Sequence, residues 1–369
     1  MVNAKIPKIC MILTNQFAPD VRVFKEAEYL TQNGYSIEIL AWDRQRQNRK
    51  AIEEVSGIKI VRFYFYSVPG TGLLQLWPYI KFLLACINYT KKNRYEYIHC
   101  HDLDGGIIGL LLKKRSSKLV FDMHEYYEGG RYKKINSIIH FFVSFIQKCS
   151  YKTIYVNKQQ LFRTSKKNRG KLVFLPNYPE REWFTTIKIP SEILRINYIG
   201  TVRDYKAIMT LIEAVIGDDR VMVTIYGDGA ALPLLKEKYS NIQNVHFYGT
   251  FNGQRESKYI YQQTDLLYCV FDPSVENWRY AYPIKFFEAI VSGTPVLVSS
   301  NSIVEQEVLA KNIGSSVIYG DVFALKAIIS KMLLTSYVLD GYRSEVLSLQ
   351  DTYSWSVIKH NLNKVYPLL

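Results

Sequence analysis

Residues 9–42 read ICMILTNQFAPDVRVFKEAEYLTQNGYSIEILAW, and this stretch decides the fold. Two apolar runs, Ile9–Thr14 and Ser36–Trp42, predict buried strands. Between them, Arg22–Asn33 carries apolar residues at helical spacing, and Asp20 stands where a helix N-cap is expected. A helix that joins two strands in so short a stretch predicts that the strands are parallel neighbours in one sheet.

The alternation of strand and helix continues along the chain. In the first half, further strands are predicted at Ile58–Phe65, Tyr97–Cys100, Lys118–Phe121, Thr153–Val156 and Leu172–Phe174. After a proline-containing linker, strands are predicted at Arg195–Ile199, Val221–Tyr226, Val245–Tyr248, Asp265–Val270, Pro295–Val298 and Ser316–Ile318. We therefore predict an α/β protein with two doubly wound parallel-sheet domains, residues 1–180 and 181–350, followed by a terminal helix in 351–369.

The composition is that of an ordinary folded protein. Of 369 residues, 48% are hydrophobic and 22% are charged, and this length suggests two domains. No uncharged apolar run reaches the ~18 residues of a spanning helix, and residues 1–8 lack the apolar run of a signal peptide. The five cysteines are scattered without a Cys-x-x-Cys pair, which argues against a disulfide framework or a zinc site. We expect a cytoplasmic protein.

The positive charge is concentrated in the first half. The net charge is +14; residues 1–185 hold 30 Lys and Arg against 15 Asp and Glu, whereas residues 186–369 hold 17 against 18. An anionic membrane surface would be attracted by such a charge, and so would nucleic acid. A generally basic, soluble surface is the third interpretation. The chain has no recognised nucleic-acid-reading module and no arginine cluster, so no nucleic-acid partner is expected.

Two segments mix basic residues with aromatic and apolar ones, as helices in a membrane interface do. One is Gly129–Lys152, and the other contains Trp77, Tyr79 and Phe82. A core helix with a solvated end has the same composition, and the sequence leaves both interpretations open.

The segment Tyr280–Glu288 has the features of a phosphate-binding helix start. Pro283 suits a first helical turn, where the free N–H groups and the helix dipole attract anions. Lys285 and Glu288 stand three residues apart on one face, where they could hold a phosphate and a ribose diol respectively. They could equally form an internal ion pair on a solvated helix face.

Two glycine-containing turns follow predicted strands of the second half. Gly200 permits close approach of a ligand to the backbone, and Arg203 and Lys206 after it could neutralise a diphosphate. An ordinary basic loop is the alternative. Gly227 opens the second turn, but no Gly-x-Gly-x-x-Gly motif follows, which disfavours a dinucleotide-dependent dehydrogenase.

Ligands of open α/β sheets bind at the carboxyl ends of the strands. In the first half, the polar residues at those ends are Asn15, Asp20, Arg22, His101, Asp102, His124 and Glu125. A histidine beside a carboxylate could act as an acid or a base, which favours Asp102, His124 and Glu125. His99 and His101 alternate along one strand as half of a metal site would, but no third ligand is evident from the sequence, so no metal is expected.

Ordered segments of both halves resemble a known family. They are Ala18–Ala27, His99–Asp104, Phe121–Glu125, Leu175–Asn177, Tyr198–Lys206, Ile225–Gly229, Asn244–Gly249, Thr264–Leu267 and Pro283–Val296. Together they resemble the nucleotide-sugar-dependent glycosyltransferases of family four, or glycosyltransferase group 1. The resemblance implies the GT-B fold, in which two Rossmann-like domains face a cleft and the terminal helix packs back toward the first domain.

The resemblance also implies roles for individual residues. Donor binding would fall to Gly200, Arg203, Lys206, Gly227, Gly249, Tyr280, Pro283, Lys285 and Glu288. The acceptor side would comprise Asn15, Asp20, Arg22 and His101, with His124, Asp102 and Glu125 as catalytic candidates. Many members carry a glutamate eight residues before the one at Glu288, where this chain has Tyr280. The sugar preference is therefore expected to depend on this position.

The function expected from these features is transfer of a hexosyl group from a uridine or guanosine diphosphate sugar, with retention of configuration. If the reaction inverts instead, Asp102, His124 or Glu125 is the expected base. The acceptor would be a glycan on a polyprenyl-type lipid in surface polysaccharide synthesis, reached by peripheral binding to the inner face of the cell membrane. No cofactor beyond the nucleotide sugar is expected. A nucleotide-sugar epimerase on the same fold and a basic nucleic-acid-binding protein are the alternatives.

Overall fold

The computed structural model of the chain describes residues 6–17, 20–48, 50–68, 70–124 and 136–369. It divides into two compact units, the first formed by residues 1–176 with 359–369 and the second by residues 177–358. The chain enters the second unit close to the predicted boundary at 180, but leaves it later than the predicted 351. Trp355 is buried within the second unit and its backbone N–H donates to the Pro179 carbonyl at 2.8 Å, which holds the start of the terminal segment there.

The first unit contains an eight-stranded sheet. Its strands are β1 (Lys8–Leu13), β2 (Ser36–Trp42), β3 (Ile52–Val55), β4 (Ile58–Phe63), β5 (Tyr97–His101), β6 (Lys118–Met123), β7 (Lys152–Tyr155) and β8 (Leu172–Phe174). Their order is β3-β4-β2-β1-β5-β6-β7-β8. All neighbours are parallel except β3, which pairs antiparallel with β4 at the edge. The predicted strands are present. The strand β3 was not predicted, because its sequence Ile-Glu-Glu-Val has neither an apolar run nor a polar–apolar alternation and buries no residue fully.

The helices of the first unit connect these strands. They are α1 (Val21–Gln32), α2 (Leu76–Lys91), α3 (Asp102–Leu112), α4 (Asn136–Cys149) and α5 (Lys158–Arg163), with 3-10 turns at Gly72–Gln75, Lys166–Lys171 and Lys359–Lys364. Asp20 caps α1 as predicted, because its carboxylate accepts the Val23 N–H at 3.2 Å. Phe82 of α2 is wholly buried and stacks on Trp42, so this residue belongs to the core and not to a membrane-facing surface.

The second unit contains a six-stranded, fully parallel sheet. Its strands are β9 (Leu194–Ile199), β10 (Val221–Tyr226), β11 (Val245–Gly249), β12 (Leu266–Cys269), β13 (Val296–Ser299) and β14 (Gly314–Val317). Their order is β11-β10-β9-β12-β13-β14, so the chain reverses its direction of winding between β9 and β12. Such reversals are where open α/β sheets bind ligands.

Helices follow each strand of the second unit. They are α6 (Tyr205–Val215), α7 (Leu232–Tyr239), α8 (Gly253–Gln262), α9 (Glu276–Tyr280), α10 (Ile284–Val291), α11 (Ile303–Ala310), α12 (Val322–Leu334), α13 (Ser336–Ser348) and α14 (Trp355–Ile358), with a 3-10 turn at Arg181–Trp183. The predicted terminal helix is therefore a single turn, α14, in the second unit, followed by a 3-10 turn in the first. Within the described residues, no single helix is long and apolar enough to cross a membrane; α12 and Tyr337–Ser348, bent by 91°, reach that length and composition only as a pair.

Candidate functional site

Three loops at the carboxyl edge of the second sheet are fastened to one another by backbone hydrogen bonds. Gly200, after β9, donates its N–H to the Tyr226 carbonyl at 2.9 Å, and Gly227, after β10, donates to the Gly249 carbonyl at 2.7 Å. Gly227 has a φ of 132°, and a Cβ there would lie 1.8 Å from the Gly200 carbonyl oxygen. No side chain fits at Gly227. We call the three predicted glycines, which these two hydrogen bonds place side by side, the glycine floor.

The start of α6 carries the predicted cationic side chains. Arg203 and Lys206 are both exposed. Lys206 lies over the ring of Tyr319 at 5.0 Å, and a Cβ on Gly320 would come within 2.3 Å of its Cε. Because Gly320 has no side chain, the lysine can lie flat against the loop after β14. Sequence reasoning did not identify Tyr319 and Gly320 as the residues that contact Lys206, because they follow a strand more than 100 residues later in the chain.

Asp204 fixes this helix start. Its Oδ1 accepts the Ala207 N–H at 3.0 Å, as a helix N-cap does, and also accepts the Tyr319 hydroxyl at 2.8 Å. The hydroxyl therefore joins the loop after β14 to the beginning of α6. Lys206 extends from a helix start that is held on two sides.

The start of α10 contains the predicted Lys–Glu pair. Lys285 Nζ lies 2.7 Å from Glu288 Oε2, and the Tyr261 hydroxyl donates to the same oxygen at 3.1 Å. The ion pair that the sequence allowed is thus present. Both contacts end on Oε2, and Glu288 is largely buried, so its carboxylate is held in one orientation.

Lys285 also reaches the opposite side of the sheet reversal. Its Nζ lies 5.4 Å from the ring centre of Phe251, two residues after Gly249. This contact brings the start of α10 beside the loop after β11, on the same edge as the glycine floor. Pro283 is the N-cap, with an extended ψ of 140°, and not a residue of the first turn as predicted.

Tyr280 ends the short helix α9, which the sequence did not predict. The Arg279 guanidinium lies 5.6 Å from the centre of its ring. Five residues are too few for the apolar periodicity that identifies a helix in sequence. Tyr280 thus precedes α10 on an ordered element, three residues before Pro283.

The first unit has a cavity of about 670 Å³ at the carboxyl ends of its strands. Its polar lining includes Asn15, Asp102 and Asp104, and its apolar lining includes Leu73 and Leu76. Burial raises the pKa of the Asp104 carboxyl, which accepts the Thr14 hydroxyl at 2.6 Å. The cavity therefore has a hydrogen-bonding floor and an apolar side.

His124 lies between two carboxylates beside this cavity. Its Nε2 is 3.0 Å from Asp122 Oδ2, and its Nδ1 is 3.5 Å from Asp102 Oδ2. Burial opposes the charged imidazolium, but the two carboxylates outweigh it and raise the pKa of His124 to about 10. At neutral pH, His124 is protonated and can donate a proton or attract an anion, but it cannot accept a proton. The hypothesis that His124 is a general base is therefore not supported, whereas Asp102, the second of the three catalytic candidates, lines the cavity.

Arg22 and His101, predicted for the acceptor side, are buried. The Arg22 guanidinium binds both oxygens of Asp122 through NH2 at 3.0 Å and reaches the Leu175 carbonyl at 2.9 Å. His101 Nδ1 lies 3.1 Å from His124 Nε2. His101 thus contacts His124 directly, and Arg22 contacts the Asp122 carboxylate that His124 also contacts. Both side chains are buried, so they do not contribute to an accessible acceptor surface. Asn15 and Asp20 are more accessible and bond to each other at 2.9 Å, and Glu125 lies outside the described residues.

Residues 179–339 match a known protein family, described as glycosyl transferases group 1. No curated protein matches the chain significantly. Among solved structures, sucrose-phosphate synthase from Thermosynechococcus elongatus is similar at a TM-score of 0.78 and 18% identity, covering 98% of each chain. HepE from Anabaena, in complex with UDP and glucose, has a TM-score of 0.74 and 12% identity, covering 98% of this chain and 99% of its own.

A third similar structure is WaaG, a glycosyltransferase involved in lipopolysaccharide biosynthesis. Its TM-score is 0.66 at 13% identity, covering 98% of this chain and 100% of its own. These likenesses extend over both units and confirm the predicted α/β fold with two Rossmann-like domains, the GT-B fold.

Proposed function

We propose that this chain, a group 1 glycosyltransferase by its residues 179–339, moves a hexosyl group from a nucleoside diphosphate sugar to a glycan acceptor carried on a lipid. The observation that supports this best is the carboxyl edge of the second sheet. There, the glycine floor lies on the same edge as the exposed cations Arg203 and Lys206 and the Glu288 carboxylate, which Lys285 and Tyr261 hold in one orientation. A sugar nucleotide has a matching order of groups: a flat base, a ribose diol and a diphosphate.

The donor is held by the second unit alone in this proposal. Arg203 and Lys206 bind the diphosphate, and the Glu288 carboxylate accepts hydrogen bonds from the ribose hydroxyls. Lys285 Nζ already pairs with the largely buried Glu288 carboxylate at 2.7 Å. The glycine floor lets the base approach the backbone closely. Uridine is the favoured base, since HepE has been solved with UDP.

Transfer with retention of configuration requires no strong protein base. When the bond between the sugar and the diphosphate breaks, Arg203 and Lys206 stabilise the negative charge on the leaving group. The departing phosphate oxygen then takes the proton of the acceptor hydroxyl on the same face of the sugar.

The acceptor binds in the cavity of the first unit. The carboxylate and amide groups that line this cavity can hydrogen-bond to the hydroxyls of a sugar. Leu73 and Leu76 offer an apolar surface for the lipid end of the acceptor. Leu73 is 89% exposed and Leu76 is 55% exposed, and exposed apolar residues that lie together mark an interaction surface. An acceptor with a polar glycan and an apolar tail fits both sides of this cavity.

The first unit meets an anionic bilayer through α4. One face of this helix places Ile139 and Ile146 in the core, whereas Ile138, Phe141, Phe142 and Phe145 are exposed on the other. The N-terminal part of the stretch considered in the sequence, up to residue 135, lies outside the described residues. The first unit holds 31 Lys and Arg against 13 Asp and Glu, and the second 16 against 20, so only the first unit has charge complementary to anionic lipid. Synthesis of a surface polysaccharide at the inner face of the membrane is consistent with this arrangement.

Sugar transfer by Lys206→Ala tests the donor site. We expect product formation from UDP-glucose, or from the GDP sugar if that is the donor, to fall at least 100-fold, because the cation facing the leaving group is lost. Lys331→Ala is the matched control, since Lys331 is an exposed lysine in the last turn of α12, at the opposite edge of the same sheet. Equal loss in both variants, or full activity of Lys206→Ala, would contradict the site. Proton NMR of the product would report retention or inversion.

A further inference from the structure

An arginine that sequence reasoning did not single out lines the cavity of the first unit. Arg44 follows β2 by two residues and borders this cavity of about 670 Å³. Its side chain is half-buried, and its guanidinium carbon lies 4.3 Å from the ring centre of Trp42. Because Trp42 is itself buried, one face of the guanidinium rests on a ring that cannot move aside.

The protein leaves the hydrogen-bond donors of this guanidinium unused. No described residue accepts a hydrogen bond from it, and its Nε is buried without a partner. Two other arginines of the first unit differ in this respect. Arg62 donates to three backbone carbonyls and pairs with Glu53 at 2.6 Å, and Arg22 binds Asp122. Buried polar groups are ordinarily paired in this way, so the donors of Arg44 indicate a ligand.

The charge of Arg44 is only partly balanced. Burial lowers the pKa of the guanidinium, and the Asp104 carboxylate opposes this by attracting the charge. Asp104 Oδ2 accepts the Thr14 hydroxyl at 2.6 Å, and burial raises the pKa of this carboxyl, which favours its neutral form. An arginine side chain stays protonated in a protein. An anion beside Arg44 therefore meets a cation whose neighbouring carboxyl has another partner.

The strand order separates Arg44 from Asp102, the other charged group of the cavity. Arg44 follows β2, Asn15 follows β1 and Asp102 follows β5, and β1 lies between the other two strands. Neighbouring strands are about 4.8 Å apart, so two spacings place the ends of β2 and β5 roughly 10 Å apart. The cavity thus offers a cation on one side, an amide in the middle and a carboxylate on the other. A sugar with an adjoining anionic group has the same order.

We propose that Arg44 binds an oxyanion of the acceptor, a phosphate or a carboxylate, while Asn15 and Asp102 bind its sugar hydroxyls. Arginine suits such a group because two of its N–H donors match two oxygens of one phosphate or carboxylate. The oxyanion is either a phosphate that joins the glycan to its lipid or the carboxylate of an acidic sugar. This inference rests on the proposed use of the cavity for the acceptor, and it names the chemical class of that acceptor.

A purely structural arginine is the competing explanation. In that case Arg44 only balances Asp104 and covers Trp42, and the cavity has no preference for anionic over neutral ligands. The proposal predicts a preference that depends on Arg44 and that decreases as the salt concentration rises.

Calorimetric titration of three small glycosides into the full-length protein, without any nucleotide, separates the two explanations. Hexyl glucoside is neutral, glucosyl hexyl phosphate carries a phosphodiester between sugar and tail, and hexyl glucuronide carries a carboxylate on the sugar. At least one charged probe should bind the wild type at least tenfold more tightly than the neutral one, and Arg44→Gln should lose most of this preference. The probe that binds more tightly identifies the source of the oxyanion. Arg115→Gln is the control and should keep the preference, because Arg115 is exposed between α3 and β6, at the other end of the strands.

Two results would overturn the proposal. One is a wild type that binds neither charged probe more tightly than hexyl glucoside, and the other is an undiminished preference in Arg44→Gln. If Arg44→Gln does not fold, Arg44→Lys replaces it, and the preference should fall at least threefold because lysine lacks the paired donors. Failure of the donor proposal is recognised separately, since it is measured by UDP binding to the second unit and leaves these titrations unchanged.

Discussion

Gly227→Ala should loosen the glycine floor of the second unit. The added Cβ would lie 1.8 Å from the Gly200 carbonyl oxygen, whereas real Cβ contacts are not found below 3.0 Å. The loops after β9 and β10 must therefore separate by more than an ångström. That movement strains the hydrogen bond from Gly200 to Tyr226 and the one from Gly227 to Gly249.

The expected loss of stability follows from these contacts. Two buried backbone hydrogen bonds contribute about 1 kcal/mol each, and alanine at the φ of 132° adds roughly 1–3 kcal/mol of backbone strain. The free energy of unfolding of the second unit should therefore fall by about 3–5 kcal/mol. UDP should bind at least tenfold more weakly, because the floor of its pocket has moved.

Urea unfolding and calorimetric titration with UDP measure both effects. Gly253→Ala is the matched control: Gly253 begins α8, and a Cβ there would come no closer than 4.0 Å to Ser257 Oγ. Its unfolding free energy should stay within about 0.5 kcal/mol of wild type. If Gly227→Ala behaves like this control, the reasoning from the close approach is refuted.

Two further predictions concern stability at alkaline pH and membrane binding. Burial lowers the pKa of Lys188 from 10.5 to about 7, although its Nζ donates to the Tyr261 carbonyl at 2.8 Å. Between pH 7 and 10.5 the unfolded state then binds more protons than the folded one, so this group makes stability rise with pH by up to about 1.4 kcal/mol per pH unit. In Lys188→Met that contribution is absent, so the variant's advantage over wild type should be largest below pH 7 and fade toward pH 10.5; a constant difference in urea unfolding across this range would contradict the assignment. Separately, the double variant Phe141→Asp with Phe145→Asp should reduce sedimentation with phosphatidylglycerol vesicles at least tenfold, because it places two negative charges on the exposed face of α4. Phe323→Asp, at an 87% exposed phenylalanine of the second unit, should sediment as wild type does, and equal sedimentation of all three proteins would argue against α4 as the binding face.

The sequence predicted the parallel strands well because their signal is local. Apolar runs such as Ile9–Leu13 are buried on both faces, and Asp20 caps α1 through the backbone of a residue three positions away. The edge strand β3 and the short helix α9 escaped prediction for the opposite reason. Neither element buries a residue fully, so neither shows the regular spacing of apolar residues by which strands and helices are recognised in a sequence.

The contacts that hold the candidate residues were beyond sequence reasoning. Arg22 and Asp122 are 100 residues apart in the chain, and Lys206 rests on Tyr319, which belongs to a different strand end. Nothing in the local pattern around Arg22 distinguishes a surface cation from a buried partner of Asp122. For the same reason, the carboxylates that join His99 and His101 appear only in three dimensions.

Aromatic residues were ambiguous for a related reason. Trp77 and Phe82 lie in one helix with similar neighbours, yet Trp77 is 63% exposed and Phe82 is wholly buried. A helix that is apolar on most of its surface does not indicate which face meets the core. The α4 helix shows both outcomes, with Ile146 in the core and Phe141 outside.

Calorimetric titration of UDP and 2′-deoxy-UDP into the wild type and Glu288→Gln tests the central claim most directly. If Glu288 binds the ribose hydroxyls, the variant should lose at least tenfold in affinity for UDP and much less for the deoxy compound. Glu237→Gln, at an exposed glutamate of α7, should bind both as wild type does. If neither UDP nor GDP binds the wild type, or if UDP binds Glu288→Gln with undiminished affinity, the second unit does not hold a nucleotide in the way proposed.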